Sequence, residues 1–186
     1  MMRTYVRAVV KDRKGRVLKD TGWLKTNTLT KNFYAFLRAA MDNRDTPCVR
    51  TDGTTGTILR PFDISDYFMA VDAGEHVSSY GLVVGTGTTE PTRDDYKLES
   101  QIPSGAGAGE LHYYATAVIH GPDYIEVRRT FGNEGGADIT VREVGLIAYY
   151  YDFDASARKC ALIARSLFTI TIPAGGSATL YYKISG

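Results

Sequence analysis

The fold is decided by the C-terminal stretch Leu162-Ile-Ala-Arg-Ser-Leu-Phe-Thr-Ile-Thr-Ile172, Pro173-Ala-Gly-Gly-Ser177 and Ala178-Thr-Leu-Tyr-Tyr-Lys-Ile184. Its even positions carry the apolar side chains Leu162, Ala164, Phe168, Ile170, Ile172, Ala178, Leu180, Tyr182 and Ile184, whereas Arg165, Thr169, Thr171, Thr179 and Lys183 take odd ones. A period of two predicts two strands with one apolar face each, and the Pro-Ala-Gly-Gly-Ser insert predicts a hairpin turn. Because a lone hairpin is only marginally stable, other strands must cover its apolar face.

Further strands follow the same pattern. Val6, Ala8 and Val10 alternate with polar residues ahead of a turn at Asp12–Gly15, and a second hairpin is predicted around His120–Asp123. After Asn133–Gly136 the apolar positions change parity near Arg142–Glu143, which predicts a β-bulge. About eight strands at this spacing predict a mainly β protein, a single antiparallel β-sandwich of jelly-roll type.

One amphipathic α-helix is predicted near the N-terminus, over Asn32–Met41. Its apolar residues recur at helical spacing and are expected to pack on the sheets; they are Phe33, Phe36, Leu37, Ala40 and Met41. The next segment, Arg44–Gly56, is dense in turn-forming residues and has no periodicity, so an exposed loop is expected at about 44–56.

Length and composition are typical of one globular domain spanning residues 1–186, with 44% hydrophobic and 23% charged residues. The net charge of +1 and the absence of a basic cluster disfavour nucleic acid as a partner. Neither a membrane-spanning run nor the apolar core of a signal peptide is present, so no membrane association is expected. Cys48 and Cys160 are interpreted as free thiols, and a disulfide between them stays open as an alternative.

No pattern in the chain predicts a catalytic, cofactor or metal site. Gly85-Thr-Gly87 lacks the third glycine of a dinucleotide-binding motif, and the carboxylates Asp94, Asp95 and Glu99 are interpreted as a solvated turn. The sequence Asp152-Phe-Asp154 supplies too few oxygens for calcium. The three histidines His76, His112 and His120 form no metal-binding pair in the sequence. We therefore expect no enzymatic activity, no cofactor and no metal.

A candidate subunit interface follows from the tyrosines. Strand alternation turns Tyr149, Tyr151 and Tyr181 outward if Tyr150 and Tyr182 point inward. Exposed aromatic side chains with polar neighbours are typical of contact surfaces, so these three tyrosines, with Arg128 and Arg165 as polar neighbours, are the predicted interface. The alternative is that they are ordinary half-exposed tyrosines of strands.

Several stretches together resemble structural proteins of tailed bacterial and archaeal viruses. They are Val9–Val17, Asn27–Phe33, Gly81–Glu99 (Gly-Leu-Val-Val-Gly-Thr-Gly-Thr-Thr-Glu-Pro-Thr-Arg-Asp-Asp-Tyr-Lys-Leu-Glu), Arg129–Leu146 and the C-terminal stretch, which together cover most of the chain in order. The resemblance implies a β-sandwich virion protein without catalytic residues.

The role implied by this resemblance is a capsid decoration or auxiliary subunit, with a tail or fibre component as the next choice. The expected partners are further copies of the chain, a trimer being the first guess, and other virion proteins such as a major capsid protein. The expected location is the virion, after synthesis in the host cytoplasm. Two other classes stay open: a carbohydrate-binding β-sandwich that uses its tyrosines as stacking platforms, and an enzyme whose site is spread over loops.

Overall fold

A computed structural model describes residues 2–26, 28–61 and 68–186. It contains two antiparallel sheets and, among the described residues, one α-helix. The strands that precede and follow this helix in the first part of the chain are β1 (Arg3–Lys11), β2 (Val17–Asp20), β3 (Leu24–Thr26), β4 (Thr46–Val49), β5 (Thr55–Ile58) and β6 (Gly81–Gly85). Those of the second part are β7 (His112–Tyr113), β8 (Ala117–His120), β9 (Tyr124–Gly132), β10 (Ile139–Asp152), β11 (Ala157–Ile172) and β12 (Ser177–Ser185). The protein is therefore mainly β, as the sequence pattern predicted.

The first sheet, sheet A, has seven strands in the order β2-β1-β12-β9-β7, with β3 also paired to β1 and β8 also paired to β9. Its centre is β12, whose nine residues pair with β1 on one side and with β9 on the other. Val6, Ala8 and Val10 are buried as predicted, and β1 and β2 form the predicted hairpin.

The second sheet, sheet B, has five strands in the order β11-β10-β5-β4, with β6 also paired to β10. Its centre is the long β10–β11 pair, whose register shifts between Val141 and Glu143. The predicted bulge is thereby confirmed. The buried apolar residues of both sheets belong to one hydrophobic cluster, so the two sheets share a core.

The C-terminal stretch is not the predicted hairpin. Its two strands, β11 and β12, lie in different sheets, and the chain crosses from sheet B to sheet A at Pro173–Gly176. The burial prediction holds nevertheless, because a strand turns the same face inward whichever sheet it joins. The buried residues are Phe168, Ile170, Ile172, Leu180 and Tyr182, and Ile184 is partly buried against the core.

The helix, α1, spans Lys31–Asp42. Phe33 and Phe36 are buried as predicted, and the third buried apolar position is Ala39, whereas Met41 is 83% exposed. The predicted stripe was wrong at Ala40 and Met41, since the buried face ends one position earlier. Asn43 ends the helix in the left-handed conformation, which asparagine tolerates better than most residues. No helix in the described part of the chain has the length and apolarity needed to span a membrane.

Residues 44–56 differ from the predicted exposed loop. They contain β4 and the start of β5, which pair antiparallel, and Cys48 is buried in the core. Turn-forming residues are confined to the connection between the strands, where Arg50 and Thr54 close the turn through a backbone hydrogen bond of 2.9 Å. Because proline is infrequent in strands, Pro47 made a strand look improbable from the sequence. Proline fits in β4 because this strand lies at the edge of sheet B.

Candidate assembly surface

The five residues of the predicted interface do not share one surface. Tyr181 on β12 and Arg128 on β9 are direct cross-strand partners in sheet A. Tyr149 and Tyr151 lie on β10 in sheet B, where the Tyr149 ring stacks on Tyr80 with centroids 4.7 Å apart. Of the five residues, only Tyr181 and Arg128 are therefore used below to define a candidate surface.

Arg165 was assigned to this interface wrongly, because its side chain is 3% exposed. Its Nε donates to Glu143 at 2.8 Å, and its Nη1 donates to Asp95 at 2.8 Å. Glu99 adds a third carboxylate, 3.7 Å from Nη2. The guanidinium is thus the centre of an ion network inside the protein.

Glu143 explains the glycines of the segment Gly85–Glu99. Its fully buried carboxylate accepts hydrogen bonds from the backbone amides of Gly87, Glu99 and Ser100. A Cβ at Gly85 or at Gly87 would lie 2.5 Å from Glu143 Oε1, a distance that side chains do not tolerate. Glycine is needed at both positions because the chain turns directly against this carboxylate.

The carboxylates Asp95 and Glu99 are held by this network and are not merely solvated. Burial alone would raise the pKa of Asp95, but the hydrogen bonds from Arg165 and Thr92 hold it below its ordinary value. Glu99 accepts from the backbone amides of Thr88 and Thr89, and these bonds lower its pKa. Asp95 and Glu99 therefore anchor the loop that covers sheet B.

The parity argument failed at Arg165 because sheet B is covered on both faces. Six consecutive residues of β11, from Ala161 to Ser166, are buried. The segment Thr28–Thr30 extends sheet B at the edge of this strand, with Thr30 N donating to Ile163 O at 3.0 Å and Arg165 N donating to Thr28 O at 3.1 Å. On the outward side, the loop that carries Asp95 lies over Arg165. Arg165, an odd position of this strand, therefore points into a second buried region on the outer side of sheet B. A sequence pattern that separates only a buried face from an exposed face cannot show such a region.

Sheet A carries an aromatic and cationic cluster on its outward face. Strand register places Arg7, Tyr181 and Arg128 in one row across β1, β12 and β9. The adjacent row is Tyr5, Lys183 and Glu126. All of these outward side chains are half-buried except Arg128, which is exposed. We call Arg7, Trp23, Tyr124, Tyr181 and Lys183 the outer-face cluster.

Contacts within the outer-face cluster hold its rings and cations in place. Trp23 meets the Tyr181 ring edge to face, with centroids 6.2 Å apart. The Lys183 ammonium lies 4.5 Å from the Trp23 centroid and 4.4 Å from the Tyr124 centroid, within the range of cation–π attraction. Arg7 lies over Tyr181 at 5.6 Å and donates two hydrogen bonds to Asp20. Those bonds lower the pKa of Asp20 to about 2.

An apolar edge adjoins this cluster. β2 and β3 both pair with β1, and among the described residues no further strand pairs with their other sides. Val17 is 58% exposed, Leu18 57% and Leu24 45%, and we call these three residues the apolar edge. Trp23 of the outer-face cluster, which is 39% exposed, directly precedes Leu24 in the chain. The apolar edge thus lies on the strands that pair with β1, the strand that supplies Arg7 to the outer-face cluster.

A shallow groove opens beside Trp23. It is lined by Tyr5, Trp23, Asp123, Tyr124, Lys183 and Ser185. Three aromatic rings, one cation and one carboxylate thus converge at one end of sheet A.

The neighbouring Arg129 has a different role from Arg128. It is 1% exposed, and its guanidinium donates to five backbone carbonyls, those of Gly74, Val77, Tyr80, Leu82 and Tyr114. Burial lowers its pKa to about 10. Arg129 therefore ties the segment before β6 to sheet A and is not part of a surface.

The pair Asp152 and Asp154 was interpreted from the sequence as a plain loop. Asp152 is instead a fully buried residue of β10, which accepts two hydrogen bonds of 2.9 Å from Arg50 and one of 2.8 Å from the Tyr150 hydroxyl. Cys48 packs on the same hydroxyl at 3.0 Å, and burial raises the pKa of its thiol to about 11. Both cysteines are free thiols.

Sequence reasoning missed Arg7, Trp23, Tyr124 and Lys183 as parts of a common surface. The outward parity of Arg7 and Lys183 was visible in the pattern, but the pairing register that places them beside Tyr181 was not. Trp23 and Tyr124 lie at strand ends, where no periodicity marks them.

Comparison of the chain with protein-family models, with curated proteins and with solved structures finds no match.

Proposed function

We propose that the chain is a non-enzymatic virion structural protein that assembles in many copies on a capsid or tail. A capsid decoration or auxiliary subunit is the favoured role, and a tail or fibre component is the second. The observation that carries this proposal is that sheet A presents both the outer-face cluster and, at its edge, the exposed residues of the apolar edge. The resemblance of the motifs to viral structural proteins is consistent with it.

The proposed architecture is a β-sandwich of jelly-roll type, with α1 packed on it near the N-terminus. Support comes from the single hydrophobic cluster to which both sheets contribute. It also comes from the four connections between described strands that carry the chain from one sheet to the other, which are β3–β4, β6–β7, β9–β10 and β11–β12. Such an architecture presents a sheet face as a large, stiff surface.

The proposed primary partner is a second copy of the same chain. An unpaired sheet edge with exposed apolar side chains favours association with another chain, and aromatic residues are enriched at subunit contacts. The surface also carries both signs of charge, with Arg128 and Lys183 near Glu126 and Asp123. Charges of both signs allow attraction between neighbouring copies, either in a two-fold contact or in the head-to-tail contacts that close a ring. The proposed copy number is three, and the proposed neighbour in the virion is a major capsid protein.

The proposed absence of catalysis is supported by how the buried carboxylates are used. Glu143 and Asp152 are the acidic side chains with no exposed surface in the described part of the chain. Each accepts hydrogen bonds from an arginine and from backbone amides. Neither has the open approach to solvent that a general acid or base in a substrate cleft needs.

The test is sedimentation velocity of the full chain over a range of concentrations, with negative-stain electron microscopy of the same samples. We expect a concentration-dependent increase in sedimentation coefficient that ends in a discrete oligomer, a trimer in the first instance. A chain that stays monomeric at every concentration tested would contradict the proposal.

A second candidate function, binding of carbohydrate, is favoured by the groove beside Trp23. Aromatic rings stack on the apolar faces of sugar rings. In the same groove, the Asp123 carboxylate is an acceptor for hydrogen bonds from sugar hydroxyl groups, and the Lys183 ammonium is a donor to them. A glycan array probed with labelled protein separates the two functions. Saturable binding by a monomer that Trp23→Ala abolishes would favour carbohydrate binding, and an oligomer without glycan binding would favour assembly.

A further inference from the structure

Three separate segments of the chain meet around the imidazole of His112. His112 lies on β7 at one end of the strand order of sheet A. Its Nε2 is 2.7 Å from Oε1 of Glu75, in the segment before β6. Its Nδ1 is 3.0 Å from Oε1 of Glu134, in the connection between β9 and β10. Both ring nitrogens of one histidine are therefore in contact with carboxylates from distant parts of the sequence.

The second histidine of the cluster, His76, is fixed against the same strand. Its backbone amide donates to the carbonyl of Tyr113 at 2.8 Å. Its ring lies 4.4 Å from the His112 ring, measured between centroids. His76 has a φ of 62°, a left-handed conformation that non-glycine residues adopt infrequently. The backbone thus holds the imidazole of His76 next to that of His112.

The ring of His112 has little freedom to turn. It stacks on Tyr114 with centroids 4.3 Å apart and an interplanar angle of 28°. Its side chain is 15% exposed, whereas Glu75 and Glu134 are about half exposed, at 54% and 49%. A rigid imidazole is thus surrounded by carboxylates that can move.

These positions match the donor set of a transition-metal site. One donor atom from each of Glu75, His76 and His112 lies within 4.8 Å of the others. Tetrahedral zinc holds its ligand atoms about 3.3 Å apart, so the exposed side chains of Glu75 and His76 need shifts of only about 1 Å. A cation would bind between Nε2 of His112 and Oε1 of Glu75, which lie 2.7 Å apart.

Glu134 has the geometry of a supporting residue. Histidine ligands of metals commonly donate their second N–H to a carboxylate, which orients the ring and raises its basicity. Glu134 occupies that place on Nδ1 of His112, opposite the nitrogen that faces Glu75.

We propose that Glu75, His76 and His112 bind a divalent transition-metal cation of the zinc type, with Glu134 orienting His112. Two imidazoles and one carboxylate suit Zn²⁺, and Ni²⁺ and Cu²⁺ compete for such donors, whereas Mg²⁺ and Ca²⁺ prefer all-oxygen sites. Three protein ligands leave the fourth position to water. The bound cation ties the segment before β6 and the β9–β10 connection to β7, so it stabilises this end of sheet A.

The experiment uses the full chain without a histidine tag, first stripped with EDTA and dialysed. Titration calorimetry with ZnCl₂ should give one equivalent bound, and Co²⁺ should give the visible absorption of a tetrahedral site. MgCl₂ should give no binding. The melting temperature should rise by about 5 °C or more at saturating Zn²⁺, because a ligand of the folded state alone stabilises it.

The decisive variant is His76→Asn. Asparagine adopts the left-handed conformation readily, so without metal the variant should have the same melting temperature as the parent protein. The loss of one imidazole should weaken Zn²⁺ binding at least tenfold. Glu134→Gln, which removes only the supporting carboxylate, should weaken binding about tenfold. The matched control is His120→Asn, at the exposed end of β8, which should bind as the parent does.

Three results would overturn the proposal. The first is a parent protein that binds no Zn²⁺. The second is a His76→Asn variant that is folded and binds Zn²⁺ with parent affinity. The third is an equal loss of affinity in His120→Asn, which would show that the binding is not confined to this cluster.

Discussion

The outer faces of the two sheets differ in how far other segments of the chain cover them. The middle of sheet B is buried on both sides: the loop around Asp95 lies over Arg165, α1 packs against β4 and β11, and Thr28–Thr30 pairs with the edge of β11. Sheet A alternates buried and half-exposed residues along β1 and β12, with its aromatic and cationic side chains facing outward. The chain thus supplies its own cover for one sheet, and the other presents the surface that we assign to assembly. The buried ion network of Arg165 and Glu143 lies at sheet B, and the proposed contact residues lie on the outer face of sheet A.

The largest difference between the faces is expected at Glu143. Glu143→Ala should destabilise the protein by about 3–5 kcal/mol, because it removes the fully buried one of the two carboxylates that bond the buried Arg165. The matched variant on the other face is Glu126→Ala, which should change stability by less than about 0.5 kcal/mol. Urea denaturation of both variants measures the contrast, and equal losses would mean that the two faces do not differ in this way.

Truncating a side chain in the core that the two sheets share should also lower the stability strongly. Ile170 is 1% exposed, so Ile170→Ala should cost about 2–5 kcal/mol. Ile125→Ala removes the same atoms at a position that is 43% exposed in sheet A, and its cost should be well below that of Ile170→Ala. Thermal and urea unfolding of the pair would contradict the burial pattern if Ile125→Ala were the more destabilising change.

Acid should destabilise the protein through two of its carboxylates, Asp152 of sheet B and Asp95 of the loop that lies over it. Burial alone would raise the pKa of Asp152, but hydrogen bonds from Arg50, Ala155 and Tyr150 hold it below its ordinary value of 3.8, and Asp95 is shifted in the same direction. Because these folded-state pKa values lie below the unfolded ones, the ionised groups stabilise the fold above about pH 4, and this contribution is lost as the pH falls through the folded-state values.

The corresponding measurement is the unfolding free energy as a function of pH. It should fall below about pH 4, and Asp152→Asn should reduce the slope in that range. The matched replacement Asp123→Asn, at the groove of sheet A, should leave the slope unchanged. A slope that is the same in Asp152→Asn and in the parent would show that this carboxylate does not carry the acid sensitivity.

A modest effect on stability is expected at Tyr181. Tyr181→Ala removes one edge-to-face contact with Trp23 and a half-exposed ring, so the unfolding free energy of the monomer should fall by less than about 1.5 kcal/mol. Differential scanning calorimetry at low concentration measures it. Global unfolding of the variant would show that Tyr181 belongs to the core and not to a contact surface.

Local patterns predicted much of this structure. Alternation identified the inward positions Ile170, Leu180 and Tyr182, and the parity slip located the bulge at Glu143. Alternation does not say which sheet a strand joins, so β11 and β12 were taken for a hairpin. Nor does it show a second layer of chain, which is why Arg165 was placed on the surface.

The candidate sites were less predictable because distant segments build them. Tyr181 and Arg128 were found from outward parity, but their register with Arg7 depends on strand pairing across the whole sheet. His76 and His112 are far apart in sequence and share no motif spacing, so only the folded chain shows that their rings are in contact.

The most direct test of the account is sedimentation equilibrium of the parent protein, a double variant of sheet A and a control variant of sheet B. The double variant is Trp23→Ala with Tyr181→Ala, and the control is Tyr149→Ala, whose ring stacks on Tyr80 within the chain. We predict an oligomer for the parent and for Tyr149→Ala, and a folded monomer for the double variant. An oligomer of unchanged affinity in the double variant, or its loss in Tyr149→Ala alone, would contradict the assignment of assembly to the outer face of sheet A.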